Sequence, residues 1–250
     1  MNAINVHGRR LETLELPGDP TRRPLVLGHE GLGSVGLWRD FPERLAGATG
    51  RRVIAFSRFG PGGSAPPPAP RTPAFFHEEA LDVLPAVLEP FDAADPILVG
   101  HSDGGSIALI HAGHYPVTGL VLLAAHVFVE QICVDAIEQT RRSYLDDGLR
   151  ERLARHHDDP DAAFWGWCDV WLDPAFRAWD LSADARGVTA PALIIQGQDD
   201  AYGTLEQVQR ITNAVRGPSS RLVLAGGHSP HLEQTDAVLE AITAFVAPLA

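Results

Sequence analysis

Lysine is absent from the chain: all 20 basic residues are arginine. Schiff-base chemistry, attachment of pyridoxal phosphate and a P-loop lysine are excluded with it, because each needs a primary amine at the site. Cysteine is scarce as well, with only Cys133 and Cys168 in 250 residues, at no metal-like spacing and with no basis for a disulfide framework. Positive charge is in deficit. A formal net charge of -12 argues against nucleic acid or an anionic membrane face as partner, since both require a concentrated basic surface. The arginine pairs at 9–10, 22–23, 51–52 and 141–142 are short and scattered, as solvated surface would be. Long apolar runs are missing too, and the opening MNAINVHGRRLETLEL lacks a charged stretch followed by an apolar one. A cytoplasmic protein without a membrane partner is expected.

Apolar residues at 45% and charged residues at 21% suit a folded domain with a sizeable core. Short β-rich apolar runs recur at 23–30, 51–57, 95–101, 117–126, 190–197 and 220–226, separated by stretches long enough for crossover helices. Runs apolar on both faces read as buried parallel strands, so the pattern predicts an α/β fold. The segment RRLETLELPGD alternates leucine with polar residues, as an antiparallel edge hairpin would. The interval between the strand ending near Ala125 and the one starting near Ala190 is too long for a crossover. It reads as a helical cap over 127–187, set into a core of 1–126 and 188–250. Four of the five tryptophans, Trp165, Trp167, Trp171 and Trp179, fall inside it. Each either glues the cap helices together or forms an aromatic wall of a small-molecule pocket.

The stretch GHSDGG, residues 100–105, follows one of the apolar runs and precedes the helix-like SIALIHAGHY. Two residues able to attack an electrophile stand side by side in it, Ser102 and Asp103. A nucleophile on a strained strand-to-helix turn tolerates only small residues two places before and after it. Centred on Ser102, those places are Gly100 and Gly104; centred on Asp103, one of them is His101. Ser102 is therefore the expected nucleophile, and Asp103 contributes its backbone N–H to an oxyanion hole. A serine needs a base, and the base an orienting carboxylate. The next strand ends in Gln198-Asp199-Asp200 and the one after it in AGGHSPH, which offers His228 and His231. Both ends lie on the side of the sheet where ligands collect.

At this point the chain resembles the α/β-hydrolase superfamily over nearly its full length. Besides GHSDGG, the family's HG-x-x-GS loop is echoed by His29-Glu30-Gly31-Leu32-Gly33-Ser34, and its R-x-G-x-G-x-S loop by SRFGPGGS at 57–64. The resemblance implies an α/β-hydrolase fold: a mostly parallel central sheet flanked by helices, with a helical cap inserted after the strand that follows the nucleophile helix. The motif Gly197-Gln198-Asp199-Asp200 assigns the triad acid to Asp200, and Gly227-His228 assigns the base to His228. By the same resemblance, Gly31 supplies the second oxyanion N–H. Glu30 departs from the family, which usually has glycine there.

Among the neighbours, Asp199 is expected as a solvated loop acid and His231 as a surface residue at a helix start. His156-His157-Asp158-Asp159 is metal-like by residue type only and reads as a solvated helix end. His126, Trp165, Trp167 and Trp171 are the expected substrate-binding residues. No cofactor and no metal are expected, and the chain is expected to be a monomer or homodimer. The expected function is hydrolysis of a small carboxylic ester or thioester through an acyl-enzyme. Two alternatives use the same scaffold: cleavage of a C–C bond or elimination by the same triad, and a non-enzymatic ligand-binding role. Ser106 and His101 stand where relatives doing the former chemistry usually carry arginine and asparagine. Turnover of an activated ester separates the enzymes from the binding protein.

Overall fold

A computed structural model of the protein describes residues 2–250. Eight strands form one sheet: β1 (Asn2–Val6), β2 (Arg9–Leu16), β3 (Leu25–Gly28), β4 (Val53–Phe56), β5 (Ile97–His101), β6 (Gly119–Leu123), β7 (Ala192–Gly197) and β8 (Ser219–Leu224). Their spatial order is β1-β2-β4-β3-β5-β6-β7-β8. The hairpin β1–β2 and the β2–β4 pairing are antiparallel, and every pairing from β4 to β8 is parallel. This is the mostly parallel α/β-hydrolase arrangement, with helices on both faces.

The central strands β3 to β7 are almost wholly apolar because both faces of the sheet are covered there. Successive side chains of a strand point to opposite faces, and the residues divide accordingly. Val26, Leu120 and Leu122 pack on one side with Ile107 and Ile110 of the Asp103–His114 helix. Leu25, Leu27, Val121 and Leu123 pack on the other with Phe41 and Leu45 of the Phe41–Thr49 helix and Val238 and Ile242 of the Thr235–Val246 helix. In the middle of the sheet, β5 and β6 are buried at every position. The edge strand β8 is exposed over 219–221 and half-buried only at Leu222 and Leu224.

Between β6 and β7 the chain forms three helices, Gln131–Asp146, Leu149–Leu153 and Pro160–Leu172, followed by short helical turns at Pro174–Ala178 and Ser182–Ala185. Asp159 starts the third by accepting the Ala162 N–H at 2.9 Å, with Pro160 in the first turn, where its missing N–H costs nothing. The two ends of the segment are pinched together: Phe128 bridges Asp180 as an isolated antiparallel pair, and Leu181 N–H donates to Val127 O at 2.7 Å. The helical segment is thus carried on a narrow neck above the carboxyl ends of the parallel strands. Among the described residues, no helix is long and apolar enough to cross a membrane.

Candidate active site

Ser102 sits between β5 and the Asp103–His114 helix with φ 52° and ψ -117°, a left-handed backbone that a residue with a side chain adopts only at a cost of about 1–3 kcal/mol. The turn is held by Ser102 N–H donating to Leu123 O at 2.8 Å and by Ser106 N–H donating to Ser102 O at 3.0 Å. A β-carbon at Gly100 would collide with the backbone of Gly104 and Gly105, and one at Gly104 with the Gly28 carbonyl. Both glycines are required by close backbone approach, so the serine is lifted to the top of the sheet.

Three strand ends converge there. His228 Nε2 lies 2.9 Å from Ser102 Oγ, and His228 Nδ1 lies 2.9 and 2.8 Å from the two carboxylate oxygens of Asp200. The Asp200 side chain is wholly buried and accepts two further hydrogen bonds, from Tyr202 N–H at 2.8 Å and from Gln196 Nε2 at 2.7 Å. Burial opposes ionisation of Asp200. The hydrogen bond and charge of His228, with the Tyr202 amide, outweigh it and hold the carboxyl below its ordinary range. A carboxylate of this kind fixes the imidazole with a proton on Nδ1 and leaves Nε2 free to take one from Ser102. Asp199 points to solvent.

The loop after β3 faces Ser102 from another side. Its peptide groups are fixed by two buried side chains: Arg58 donates to the carbonyls of His29 at 2.5 Å and Glu30 at 2.7 Å, and His29 Nδ1 donates to Glu30 O at 2.6 Å. His157 adds a third tie, accepting Gly62 N–H at 2.9 Å and donating from Nε2 to Leu32 O at 3.0 Å. His157 is 4% exposed, a correction at this one position of the expected solvated helix end, since His156, Asp158 and Asp159 are exposed. The chain turns inward there to meet the loop. Gly31 and Asp103 line the cavity beside Ser102, and among the described residues neither N–H donates to a protein acceptor. The Asp103 carboxylate is turned to Trp171, whose Nε1 donates to it at 3.1 Å, and burial raises its pKa against the opposing charge of Arg58.

The cavity over Ser102 holds about 220 Å³. Its helical side is formed by Ile137, Cys133, Trp167 and Trp171, and His126 and Tyr202 also line it. Trp167 lies so close over Gly31 that a β-carbon there would overlap the indole. Trp165 does not reach the cavity, which corrects its expected place among the substrate-binding residues. It packs edge-on against Tyr144 and Phe164. The reason is helical geometry: Trp167 and Trp171 are four residues apart and share a face, whereas Trp165 is turned about 200° from Trp167. Trp179 stacks at 4.9 Å on Phe176, which itself stacks on Phe76.

His126 is 2% exposed, its backbone held to the Asp103–His114 helix by a 2.6 Å hydrogen bond from Ser106 Oγ to its carbonyl. Burial and the nearby His228 push its pKa down to about 3, so the ring is neutral. His231 is also buried, packed against Trp38 at 4.8 Å rather than at the surface where a helix-start residue was expected. The rings of Trp38, Phe41 and His101 cover that helix start. Among the described residues, no group of three or more His, Cys, Asp or Glu side chains is disposed to hold a metal ion.

A family model described as the alpha/beta hydrolase family matches residues 25–241. Among curated proteins, the chain is 26% identical over 201 residues to serine hydrolase BPHL of Homo sapiens, across 74% of this chain and 65% of that protein. To the Mus musculus protein of the same name it is 26% identical over 255 residues, across 94% of this chain and 81% of that one. The chain thus spans a little under two thirds of the human relative's length. Among solved structures, an enol-lactonase from Burkholderia xenovorans superposes with a TM-score of 0.78 at 22% identity, covering 98% of this chain and all of the other. An esterase from Exiguobacterium antarcticum does so with a TM-score of 0.76 at 20% identity, covering 98% and 97%. At such identities these two likenesses are of fold.

Proposed function

Because the chain belongs to the alpha/beta hydrolase family, we propose that it is a serine hydrolase that cleaves a small carboxylic ester or thioester through an acyl-enzyme, with residues 127–187 as the cap over its site. The observation that carries this reading is the unbroken chain of contacts from Ser102 through His228 to Asp200, each under 3 Å.

In this reading Ser102 Oγ attacks the substrate carbonyl while His228 Nε2 takes its proton. Asp200 keeps the imidazole in the tautomer that can accept and stabilises the imidazolium that forms. The developing oxyanion is met by the N–H groups of Gly31 and Asp103. His228 then gives its proton to the departing alcohol or thiol, leaving an ester on Ser102. A water, deprotonated by the same imidazole, attacks that ester; its collapse frees the acid and returns the proton to Ser102.

The cavity volume supports a small substrate. At ~30 Å³ for a water-sized group, 220 Å³ takes about seven such groups, a short acyl chain or one ring. Trp167 and Trp171 supply flat apolar faces for it, with His126 as the polar end. The test is the steady-state hydrolysis of a series of aryl esters and matching thioesters from two to twelve carbons, by wild type and Ser102→Ala. Turnover that depends on Ser102 and peaks at two to six carbons or at a benzoyl group is expected. Turnover indifferent to Ser102 would sink the proposal.

A further inference from the structure

Two ionisable residues beside the site have no part in the steps above. His101 ends β5 directly before Ser102 and is 1% exposed. Its Nε2 donates to the backbone carbonyl of His228 at 2.7 Å. Its Nδ1 has no hydrogen-bond partner at normal length, and the group it faces is the Glu30 carboxylate, with Oε2 at 3.4 Å. The ring cannot swing away, because His231 lies 4.6 Å from it and His228 5.2 Å, centre to centre.

Glu30 comes from the loop that carries Gly31. Its carboxylate folds back over Gly33, where a β-carbon would strike it. Burial opposes its charge, but His101 and His29 more than compensate, and Glu30 is an anion. The loop carrying His228 is held elsewhere by its own following helix, through Gly227 and Ser229 N–H groups donating to the Glu233 carboxylate at 2.6 and 3.0 Å. What ties it to β5, the strand of Ser102, is the His228 carbonyl on His101.

We propose that Glu30 and His101 are a positioning pair: through the His101 ring, the carboxylate on the loop after β3 fixes the backbone of His228, so that the two loops bordering Ser102 keep one spacing. The inference rests on Ser102 and His228 acting as nucleophile and base. With the His228 backbone fixed, only its side-chain torsions need move during proton transfer, and a displacement of ~1 Å at such a group is enough to cost about 10²-fold.

The test is a double-mutant cycle with Glu30→Ala and His101→Phe, read by kcat and KM on an aryl acetate and by the rate at which a fluorophosphonate modifies Ser102, located by mass spectrometry. Phenylalanine keeps a ring against His231 and His228 but removes both polar contacts. We expect His101→Phe to lower kcat and the modification rate about tenfold or more, with KM moved less than about threefold, and Glu30→Ala to cause a smaller loss of the same kind. The double variant should be no slower than His101→Phe, since without the ring nitrogens the carboxylate has nothing to hold. His101→Gln, which returns a donor, should recover part of the rate. Additive losses, a wild-type rate in His101→Phe, or no recovery with glutamine overturn the pair.

Should His101→Phe fail to fold, Glu30→Gln against Glu30→Ala decides. Glutamine keeps an acceptor for Nδ1 and should stay well above alanine in rate; equal rates overturn the pair. Wild type inert to the fluorophosphonate would count against the serine-hydrolase reading instead. The pair would then be judged by melting temperatures, where additive effects of Glu30→Ala and His101→Phe overturn it.

Discussion

Where the sheet meets the cavity, side chains are held by directed bonds: Asp200 accepts from His228, Tyr202 and Gln196, and Arg58 and His29 hold the carbonyls of the loop beside Ser102. Where the helical segment meets it, Ile137, Cys133 and Trp167 offer apolar surface, and the polar ties are few: Trp171 Nε1 to Asp103, Thr140 with Tyr202, and His157 Nε2 to Leu32 O. A hydrogen bond fixes both distance and direction, whereas apolar packing fixes volume. The difference assigns separate duties to the two sides. The sheet side can fix a reaction geometry, and the helical side can set what fits without disturbing that geometry.

The sharpest way to break this contrast is at Ser102. Ser102→Ala should lower kcat/KM on an aryl acetate by about 10⁵-fold or to background, with the melting temperature held, because only the attacking oxygen is lost. Asp200→Asn should cost about 10³- to 10⁴-fold, since the amide favours the wrong imidazole tautomer. A mild effect at Asp200 would mean that its three donors serve folding alone.

Acid tests the sheet side as a whole. His126 has a pKa of about 3 in the folded protein against 6.5 unexposed to burial, so between those values the unfolded chain binds a proton that the folded one does not. Stability contributed by the neutral ring is therefore complete above about pH 6.5 and falls by roughly 1.4 kcal/mol per pH unit for this group as pH drops toward 3. Asp200, with its pKa depressed, loses its contribution in the same direction at lower pH. Denaturant titrations from pH 7 to 4 should show the loss, and His126→Phe should flatten the slope; a slope unchanged by that substitution would count against a buried neutral His126.

The helical side is probed by chain length. For wild type, kcat/KM should fall at least about tenfold from the optimum to a twelve-carbon acyl group, because an apolar pocket gains ~0.8 kcal/mol per CH₂ only while the chain fits. Trp167→Ala should move the optimum to longer chains while leaving the rate of Ser102 modification by a small fluorophosphonate within about threefold. A large drop in that rate would show that Trp167 also holds the Gly31 loop, and the division of duties would need redrawing. The smallest effects belong to Asp103→Asn and Asp199→Asn, each expected within about threefold in kcat/KM. Asp103 keeps its main-chain N–H and an acceptor for Trp171, and Asp199 is solvated.

How far the sequence could be read differs between the same two regions. The central strands were legible because burial on both faces demands runs of valine, isoleucine and leucine, and the strand-to-helix turn at Ser102 because Gly100 and Gly104 must clear passing backbone. The tryptophan faces were half legible. Spacing alone puts Trp167 and Trp171 together and Trp165 apart, once the helix is known to run Pro160–Leu172. His157 and His231 gave no local signal, because their burial comes from the loops and rings that fold over them.

The sequence by itself determined the α/β class and a short set of candidates, Ser102, Asp199 or Asp200, and His228 or His231, since those depend on residue type at a strand end. Resemblance to the α/β-hydrolase superfamily narrowed the set to Ser102, Asp200 and His228. Tertiary structure alone decided which buried groups meet: Glu30 with His101, His101 with the His228 carbonyl, and His157 with Leu32. These partners are brought together by the order of strands in the sheet and by the helical segment closing over it. A contact between residues 30 and 101, or 32 and 157, leaves no periodicity in the chain, because hydrogen-bond geometry depends on position in space and not on distance along the sequence.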